Sequence, residues 1–185
     1  MIIGITGFIC SGKEEISKIF VEKYGFIKKS FGDEVRKEAT KRGIELTRDN
    51  LQNLGNLLRV EEGKEVWARR IIDSLETGKS YVIEGFRNLN DELPFRELEG
   101  FVLIGIHASD EIRMKRFLER KREGDPLTEE DFKRIDATDR GNDQDPDYGQ
   151  RSEDVYAQRD YEISNEGTLE DLRGEVERVM GEMKS

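Results

Sequence analysis

Cysteine and histidine are almost absent from this chain of 185 residues, which has one of each, Cys10 and His107. A single cysteine excludes an internal disulfide and a cysteine-rich zinc site. One histidine cannot build a histidine-based metal cluster, and His107 ends an apolar run, so we expect it to serve the fold. No stretch approaches the roughly 18 apolar residues of a transmembrane helix. Because the amino terminus also lacks a basic segment and a cleavage site, we expect a cytoplasmic protein without a membrane partner.

Positive charge is also scarce relative to negative charge. The chain has 41 acidic residues against 31 lysines and arginines, which gives a formal net charge of -10. Such a surface disfavours nonspecific nucleic-acid binding, although a local basic cleft remains compatible with it. The length fits one domain with a sizeable core. We find no internal repeat and no low-complexity linker, and therefore predict a single domain over residues 1–185.

The amino-terminal segment has the pattern of a strand, a loop and a helix. Residues 1–6 are mostly apolar, and residues 14–25 have amphipathic helical spacing. The connecting loop has two glycines five positions apart and then a lysine, in the order Gly7, Phe8, Ile9, Cys10, Ser11, Gly12 and Lys13. Glycines let backbone N–H groups turn towards phosphate oxygens, the helix terminus adds partial positive charge, and the lysine reaches the β and γ phosphates. The pattern predicts that this phosphate-binding loop, with Glu14 and Glu15 at the helix start, binds a nucleotide.

The residue after the lysine departs from the usual pattern. That position is normally Ser or Thr, whose hydroxyl ligates Mg²⁺, whereas this chain has Glu14. A carboxylate can hold Mg²⁺, because the ion accepts one or two carboxylates together with phosphates and water. Without a metal, the same carboxylate would repel the nucleotide. Glu14 is therefore either a working metal ligand or a sign that the loop has lost full catalytic competence.

Apolar runs alternate with helical patterns through the rest of the chain. The predicted strands lie at residues 1–6, 25–30, 81–84, 101–106 and 161–165. The predicted helices cover residues 14–25, 32–42, 65–75 and 110–123, with three more starting at Thr47, Thr128 and Thr168. Continuous apolar runs between helices favour parallel strands covered on both faces. We therefore predict a three-layer α/β fold with a five-stranded parallel sheet, and a loop over residues 141–149.

Charged motifs follow the second and third predicted strands. They read Gly32-Asp33-Glu34-Val35-Arg36 and Glu84-Gly85-Phe86-Arg87, and residues 113–140 contribute Arg113, Arg116, Arg120, Arg122, Arg134 and Arg140. The arrangement resembles the nucleoside monophosphate kinase family of P-loop kinases. In that family, a Gly-Asp-x-x-Arg element holds the acceptor phosphate, Asp-Gly-Phe-Pro-Arg supplies a second arginine, and an arginine-rich lid closes over the transferring phosphoryl group. Here the second element has glutamate for aspartate and lacks the proline.

A closer resemblance covers nearly the whole chain. The sequence is similar to archaeal and bacterial nucleotide kinase or dephospho-coenzyme A kinase-like proteins. The shared segments are residues 51–59, Asp139-Arg140-Gly141, Gly149-Gln150 and residues 163–169. The resemblance implies an acceptor-binding helical region at 31–78 and a small helical lid at about 113–150.

The resemblance also implies roles for individual residues. The groups that would neutralise the transferring phosphoryl group are Lys13 and the lid arginines Arg120, Arg134 and Arg140. The acceptor pocket would consist of Asp33, Arg36, Gln52, Arg59 and Arg87, in which Arg36 and Arg87 clamp a phosphate. The residues that would hold or orient Mg²⁺ are Glu14, Asp33 and Glu84. The arginines near residue 120 alternate with glutamates, so a solvated helix face is an equally good interpretation of them.

Together these features predict an ATP- and Mg²⁺-dependent kinase of a small molecule. The favoured acceptor is a nucleoside or deoxynucleoside monophosphate, and dephospho-coenzyme A is the alternative. A regulatory nucleotide-binding module without kinase activity is the alternative from another class, suggested by Glu14, the bulky Phe8-Ile9 pair and the missing proline. The net charge disfavours a nucleic-acid 5′-end kinase. The expected partner is a small-molecule phosphate acceptor, and the chain would act as a monomer or a homodimer.

Overall fold

The computed structural model describes residues 1–120, 128–141 and 149–183. Five strands form one sheet: β1 (Ile2–Thr6), β2 (Ile27–Ser30), β3 (Tyr81–Glu84), β4 (Phe101–His107) and β5 (Tyr161–Ser164). The strand order is β2-β3-β1-β4-β5, and all four pairings are parallel. The predicted five-stranded parallel sheet is therefore confirmed.

Helices connect the strands and cover both faces of the sheet. In the described parts of the chain they are α1 (Lys13–Tyr24), α2 (Phe31–Lys41), α3 (Arg48–Glu61), α4 (Val66–Asp73), α5 (Leu89–Arg96), α6 (Asp110–Glu119), α7 (Glu129–Arg140), α8 (Ser152–Ala157) and α9 (Leu169–Glu182). Across these described helices, none is long and apolar enough to cross a membrane.

The apolar side chains of the strands are divided between two clusters. Ile3 and Ile5 of β1 belong to a fully buried cluster with residues of α1 and α9, including Val176. Ile83 of β3 and Leu103 of β4 belong to a second cluster with residues of α2 to α5. Adjacent residues of a strand point to opposite faces, so burial on both faces explains why these strands have continuous apolar runs rather than alternating ones.

Side-chain caps begin several helices where the sequence predicts them. The hydroxyl groups of Thr47, Thr128 and Thr168 each accept a hydrogen bond from the backbone N–H three residues later. Such a bond satisfies one of the N–H groups that a helix leaves unpaired at its start. Gly25 follows α1 in the left-handed region, with φ of 70°, as a helix-ending glycine commonly does.

Two helices were not predicted from the sequence. Helix α5 has eight residues and contains Pro94, and α8 has six residues. Neither is long enough to show a clear apolar stripe, and Pro94 is itself a signal against a helix. The predicted helix over 110–123 is observed as Asp110–Glu119. Residues 121–127, and the predicted loop apart from residues 141 and 149, lie outside the described residues.

Candidate active site

The loop between β1 and α1 has a backbone path that requires glycine at two positions. Gly7 has φ of 144° and Gly12 has φ of 104°. A Cβ atom would lie 2.7 Å from the Ile106 carbonyl oxygen if added at Gly7, and 2.1 Å from Asn165 Nδ2 if added at Gly12. Helix α1 begins immediately after Gly12, so the unpaired N–H groups of its first turn lie at the loop. This arrangement suits the binding of phosphate oxygens.

Lys13 lies across this loop. Its Nζ donates hydrogen bonds to the carbonyl oxygens of Gly7 at 2.6 Å and Phe8 at 2.8 Å. Burial lowers the pKa of Lys13 to about 8, although the negative charges of Asp139 and Glu84 act in the opposite direction. The ammonium group therefore lies against the loop backbone, within the electrostatic influence of carboxylates at the end of β3 and on α7.

The two bulky loop residues contact the helices that follow β4. The Phe8 ring lies 4.1 Å from the Arg140 guanidinium and 5.1 Å from the Tyr156 ring. The Ile9 carbonyl oxygen accepts a hydrogen bond from Arg113 Nη1 at 3.0 Å. Phe8 and Ile9 therefore attach the phosphate-binding loop to α6, α7 and α8, which gives their size a structural explanation.

A buried ion-pair network holds α6 against α7. Arg113 is fully buried and binds both carboxylate oxygens of Asp136, at 2.5 and 2.9 Å, and Asp110 at 2.7 Å. Arg140 donates to Asp136 at 2.8 Å and to Asp110 at 3.2 Å. Burial acts to raise the pKa of Asp136, but hydrogen bonds from the two arginines hold it below its ordinary value. The predicted lid residue Arg140 is thus fixed beside the phosphate-binding loop.

Asn165, at the end of β5, supports the loop from the other side. Its Nδ2 donates a hydrogen bond to the Ser11 carbonyl oxygen at 2.7 Å, and its backbone N–H donates to the His107 carbonyl oxygen at 2.8 Å. Arg116 donates to the Asn165 carbonyl oxygen at 2.9 Å and to its Oδ1 at 3.3 Å. Sequence reasoning assigned Asn165 no role. The available signal was its place in the shared segment 163–169.

Glu84 lies at the carboxyl end of β3, beside the strand that leads into the loop. It pairs with Ile5 of β1 in the sheet register. One carboxylate oxygen forms an ion pair with Lys28 at 3.0 Å, and the other, Oε1, is buried without a hydrogen-bond partner. A buried orphan oxygen on a carboxylate is unfavourable by itself and would be satisfied by a cation or a donor group.

The oxygen groups at the site fit a magnesium ion. The Thr6 hydroxyl oxygen is a second buried atom without a hydrogen-bond partner, and the Glu14 and Glu15 side chains are exposed in the first turn of α1. Within the described residues, no group of three His, Cys, Asp or Glu side chains comes together. The unpartnered oxygens of Glu84 and Thr6 fit an ion that takes few carboxylates and completes its shell with phosphate and water oxygens, as Mg²⁺ does.

The predicted acceptor residues after β2 lie at the start of α2. Arg36 forms an ion pair with Asp33 at 2.7 Å, and both side chains are about half exposed. Gln52 is exposed on α3. An exposed pair of this kind contributes little to stability, on the order of 1 kcal/mol or less. Arg36 can therefore exchange Asp33 for a ligand phosphate at little cost.

The other two predicted acceptor arginines each contact a buried aspartate. Arg59 of α3 forms an ion pair with Asp91 of α5 at 2.5 Å, and burial raises the pKa of Asp91. Arg87 lies 3.3 Å from Asp139 of α7. Because Asp139 also acts on Lys13, Arg87 lies on the same side of the sheet as the phosphate-binding loop.

The remaining lid arginines have exposed side chains. Arg120 follows the last residue of α6, with its guanidinium 5.7 Å from the Phe117 ring, and Arg134 pairs with Asp131 at 3.1 Å on α7. Arg122 lies outside the described residues. The catalytic roles assigned to Arg120, Arg134 and Arg140 all stay predictions, and of the three Arg140 contacts the phosphate-binding loop.

The fold and the loop together define a P-loop kinase-like protein. A family model described as an AAA domain matches residues 3–141. Among solved structures, the shikimate kinase of Acinetobacter baumannii in complex with shikimate aligns with a TM-score of 0.60 and 13% identity, over 99% of this chain and 94% of that one. The shikimate kinase of Aquifex aeolicus aligns with a TM-score of 0.56 and 17% identity, over 98% and 96%. At this level of identity the likeness shows a shared fold.

Sequence relatives are more similar. The UPF0200 protein of Hyperthermus butylicus is 35% identical over 99% of this chain and 95% of its own length. The UPF0200 protein of Aeropyrum pernix is 33% identical over 97% of this chain and 91% of its own length. The chain belongs to the family of AAA-domain proteins matched above and to the UPF0200 proteins. The predicted resemblance to P-loop kinase-like archaeal proteins is confirmed.

Proposed function

We propose that this protein transfers the γ-phosphoryl group of ATP to a small-molecule acceptor. The observation that carries the proposal is the convergence at Lys13. This ammonium group spans the phosphate-binding loop, and the carboxylates of Glu84 and Asp139 lie near enough to influence its pKa. Asp139 also contacts Arg87, a predicted acceptor residue. The elements that we propose to bind the donor and the acceptor therefore lie at the carboxyl ends of β1 and β3, where open α/β sheets bind ligands.

The phosphate-binding loop would supply most of the groups that position the phosphates of ATP, the phosphoryl donor. Phosphoryl transfer needs little covalent help from the protein, so catalysis depends on positioning and on neutralising charge. On nucleotide binding, Lys13 would exchange the carbonyl oxygens of Gly7 and Phe8 for β- and γ-phosphate oxygens. Arg140 is already held next to Phe8 and would add positive charge at the same end of the nucleotide.

Magnesium would be held by Glu84 and Glu14, with Asp33 as a third candidate. The ion supplies neutralisation of the charge that develops on the β and γ oxygens. Glu84 has the free buried oxygen that such a role needs, and Glu14 replaces the hydroxyl that usually fills this position. Both residues are acidic, so their presence beside a nucleotide is favourable when the metal is bound and unfavourable when it is absent.

Two acceptor classes are compatible with the arginines on the acceptor side. Arg36 and Arg87 have half-exposed side chains and would clamp an acceptor phosphate in a bidentate manner. That clamp suits a nucleoside or deoxynucleoside monophosphate, whose phosphate is the nucleophile. It equally suits dephospho-coenzyme A, which presents a hydroxyl nucleophile on a phosphate-bearing molecule.

The test measures ADP formation from ATP and Mg²⁺ with a panel of acceptors. The panel contains ribo- and deoxynucleoside monophosphates and dephospho-coenzyme A, and Lys13→Ala is the control. We expect turnover with one acceptor class and its loss in the control. Measurable ATP binding without turnover on any acceptor would contradict kinase activity towards these acceptors and favour the regulatory alternative.

Glu14 distinguishes the kinase from a nucleotide-binding regulatory module. If the protein is a kinase, Glu14→Ser leaves the rate of ADP formation unchanged or lowers it. If the native protein only binds nucleotide, the same change restores the usual metal ligand and creates transfer where none existed. The cytoplasmic location, the small-molecule partner and the monomeric or dimeric state stay predictions.

A further inference from the structure

Asp139 is a buried carboxylate between the donor and acceptor sides of the proposed site. Its side chain is 5% exposed, and its Oδ1 lies 3.3 Å from Arg87 Nη1. That contact lacks hydrogen-bond geometry, because Oδ1 is buried with no hydrogen-bond partner. Of the charged neighbours that affect the pKa of Lys13, Asp139 has the largest effect. An acidic side chain thus lies beside a predicted acceptor arginine, on the helix whose Arg140 contacts Phe8 of the phosphate-binding loop.

The backbone around Asp139 is held from both sides. One turn earlier on α7, Asp136 binds the buried Arg113. Just after the helix, a Cβ atom added at Gly141 would lie 2.4 Å from the Gln150 carbonyl oxygen. The segment containing Gln150 is fixed in turn, because the Arg151 N–H donates to the Arg87 carbonyl oxygen at 2.6 Å. The contacts on both sides of Asp139 therefore fix the backbone that carries its carboxylate.

The chemistry of the orphan oxygen restricts what can lie against it. A carboxylate accepts hydrogen bonds and cannot donate them when ionised, and leaving a buried acceptor unpaired is unfavourable. A phosphate dianion placed directly against Oδ1 offers only acceptor oxygens and negative charge, so it would be repelled there and could not supply the missing donor. A hydroxyl group offers the missing donor. An alcohol placed here would satisfy Oδ1 and would lie at the end of α7, where Arg140 contacts Phe8 of the phosphate-binding loop.

Asp33, the acidic member of the predicted acceptor pocket, is less suited to binding a hydroxyl group. It forms an ion pair with Arg36 at 2.7 Å, and 61% of its side chain is exposed. Its carboxylate already has a strong hydrogen-bond donor and abundant water. Asp139 has neither a hydrogen bond to Oδ1 nor access to bulk solvent.

We propose that Asp139 binds the acceptor hydroxyl and accepts its proton, so that the acceptor is an alcohol and not a phosphate. The acceptor oxygen forms a bond to the γ phosphorus, and the bond between that phosphorus and the β–γ bridging oxygen breaks to release ADP. The hydroxyl proton passes to the Asp139 carboxylate and leaves to solvent with the product. This inference rests on the proposed kinase function and narrows its two acceptor classes to one.

The test compares Asp139→Asn with Glu130→Gln, a charge-removing change at an exposed position of the same helix. Asn keeps the size of the side chain but cannot take up the proton. ADP formation is measured with dephospho-coenzyme A, with nucleoside monophosphates, and with water alone as the nucleophile, and ATP affinity is measured by calorimetry. We expect Asp139→Asn to lower kcat for the alcohol, and the slow hydrolysis by water, by about 10²- to 10⁴-fold. The KM and the ATP affinity of Asp139→Asn should change by less than about threefold, well below a tenfold change in an equilibrium constant. The rates of Glu130→Gln should likewise stay within about threefold of the wild-type rates.

Several results would overturn the inference, and they are distinguishable from failure of the kinase function. Turnover by the wild type with monophosphates only, or an Asp139→Asn kcat close to that of the wild type, removes the role of Asp139 and leaves the kinase intact. No ADP formation by the wild type under any condition removes both. A combined loss of ATP affinity and activity in Asp139→Asn assigns the residue to structure and also contradicts the proposal. Asp139→Glu should recover part of the rate, because it restores a carboxylate.

Discussion

Arg113 provides the sharpest test of how the site is held together. Arg113→Ala removes the hydrogen bonds to Asp136, to Asp110 and to the Ile9 carbonyl oxygen. Asp136, which is 6% exposed, then keeps the hydrogen bond from Arg140. Breaking a buried ion pair by removing one partner costs about 3–5 kcal/mol. Because Arg140 still neutralises part of the charge, we expect a loss near the lower limit, about 3 kcal/mol of the free energy of unfolding.

Urea denaturation measures this loss directly. The single tryptophan, Trp67, is 1% exposed, so its fluorescence reports unfolding. For a chain of this size, about 3 kcal/mol corresponds to a fall in Tm of roughly 6–12 °C. The matched control is Arg69→Ala, which removes an ion pair with Glu65 on the exposed face of α4 and should cost about 1 kcal/mol or less.

A double variant separates the charge effect from the loss of packing. Replacing both partners, Arg113→Leu with Asp136→Leu, removes the charges together, and such replacements are often neutral or stabilising. We therefore expect the double variant to be more stable than Arg113→Ala. The reasoning would be refuted if Arg113→Ala lost less than about 1 kcal/mol, or if the double variant were as unstable as the single one.

Three further predictions concern nucleotide binding. The lowered pKa of Lys13, about 8, means that the free protein loses this charge as the pH rises through that value, whereas bound phosphate raises the pKa. ATP affinity should therefore fall above that pH, and calorimetry at about pH 8.5 in buffers of different ionisation enthalpy should detect uptake of up to about one proton that Lys13→Ala lacks. Gly12→Ala, with a Cβ 2.1 Å from Asn165 Nδ2, should abolish binding of a fluorescent ATP analogue. Gly25 has φ of 70°, but an added Cβ would have no neighbour within 4 Å. Gly25→Ala, the control, should therefore cost about 1–2 kcal/mol of stability and still bind the ATP analogue. Asn165→Leu removes the donor to the Ser11 carbonyl oxygen and should weaken ATP binding about tenfold, equivalent to about 1.4 kcal/mol.

Each of these predictions has a contrary result. Equal proton uptake in Lys13→Ala would assign the titration to another group. Intact nucleotide binding in Gly12→Ala would mean that the loop can relax around a methyl group. For Asn165→Leu, a loss of stability without a loss of ATP affinity would show that the side chain supports the fold and not the loop.

The sheet and the position of the phosphate-binding loop could be predicted from the amino-acid sequence. Strand and helix patterns are local, and the glycine spacing before Lys13 requires a particular backbone path, so both can be predicted from nearby residues. Threonine caps were predictable for the same reason, because a cap and its partner lie three residues apart. Helices α5 and α8 were missed since they are short and are stabilised mainly by packing.

The distant side chains that form the site are brought together by tertiary packing and could not be identified from sequence patterns. Arg113 reaches Ile9 over 104 positions of sequence, and Asn165 reaches Ser11 over 154. The strand order places β1 between β3 and β4, so the loops after three strands that are distant in sequence meet at one edge of the sheet. Asp139 shows the same limit, because nothing in the sequence near α7 indicates that its carboxylate is buried beside Arg87. Spacing reveals local geometry, whereas burial and the pairing of charges depend on how the elements pack.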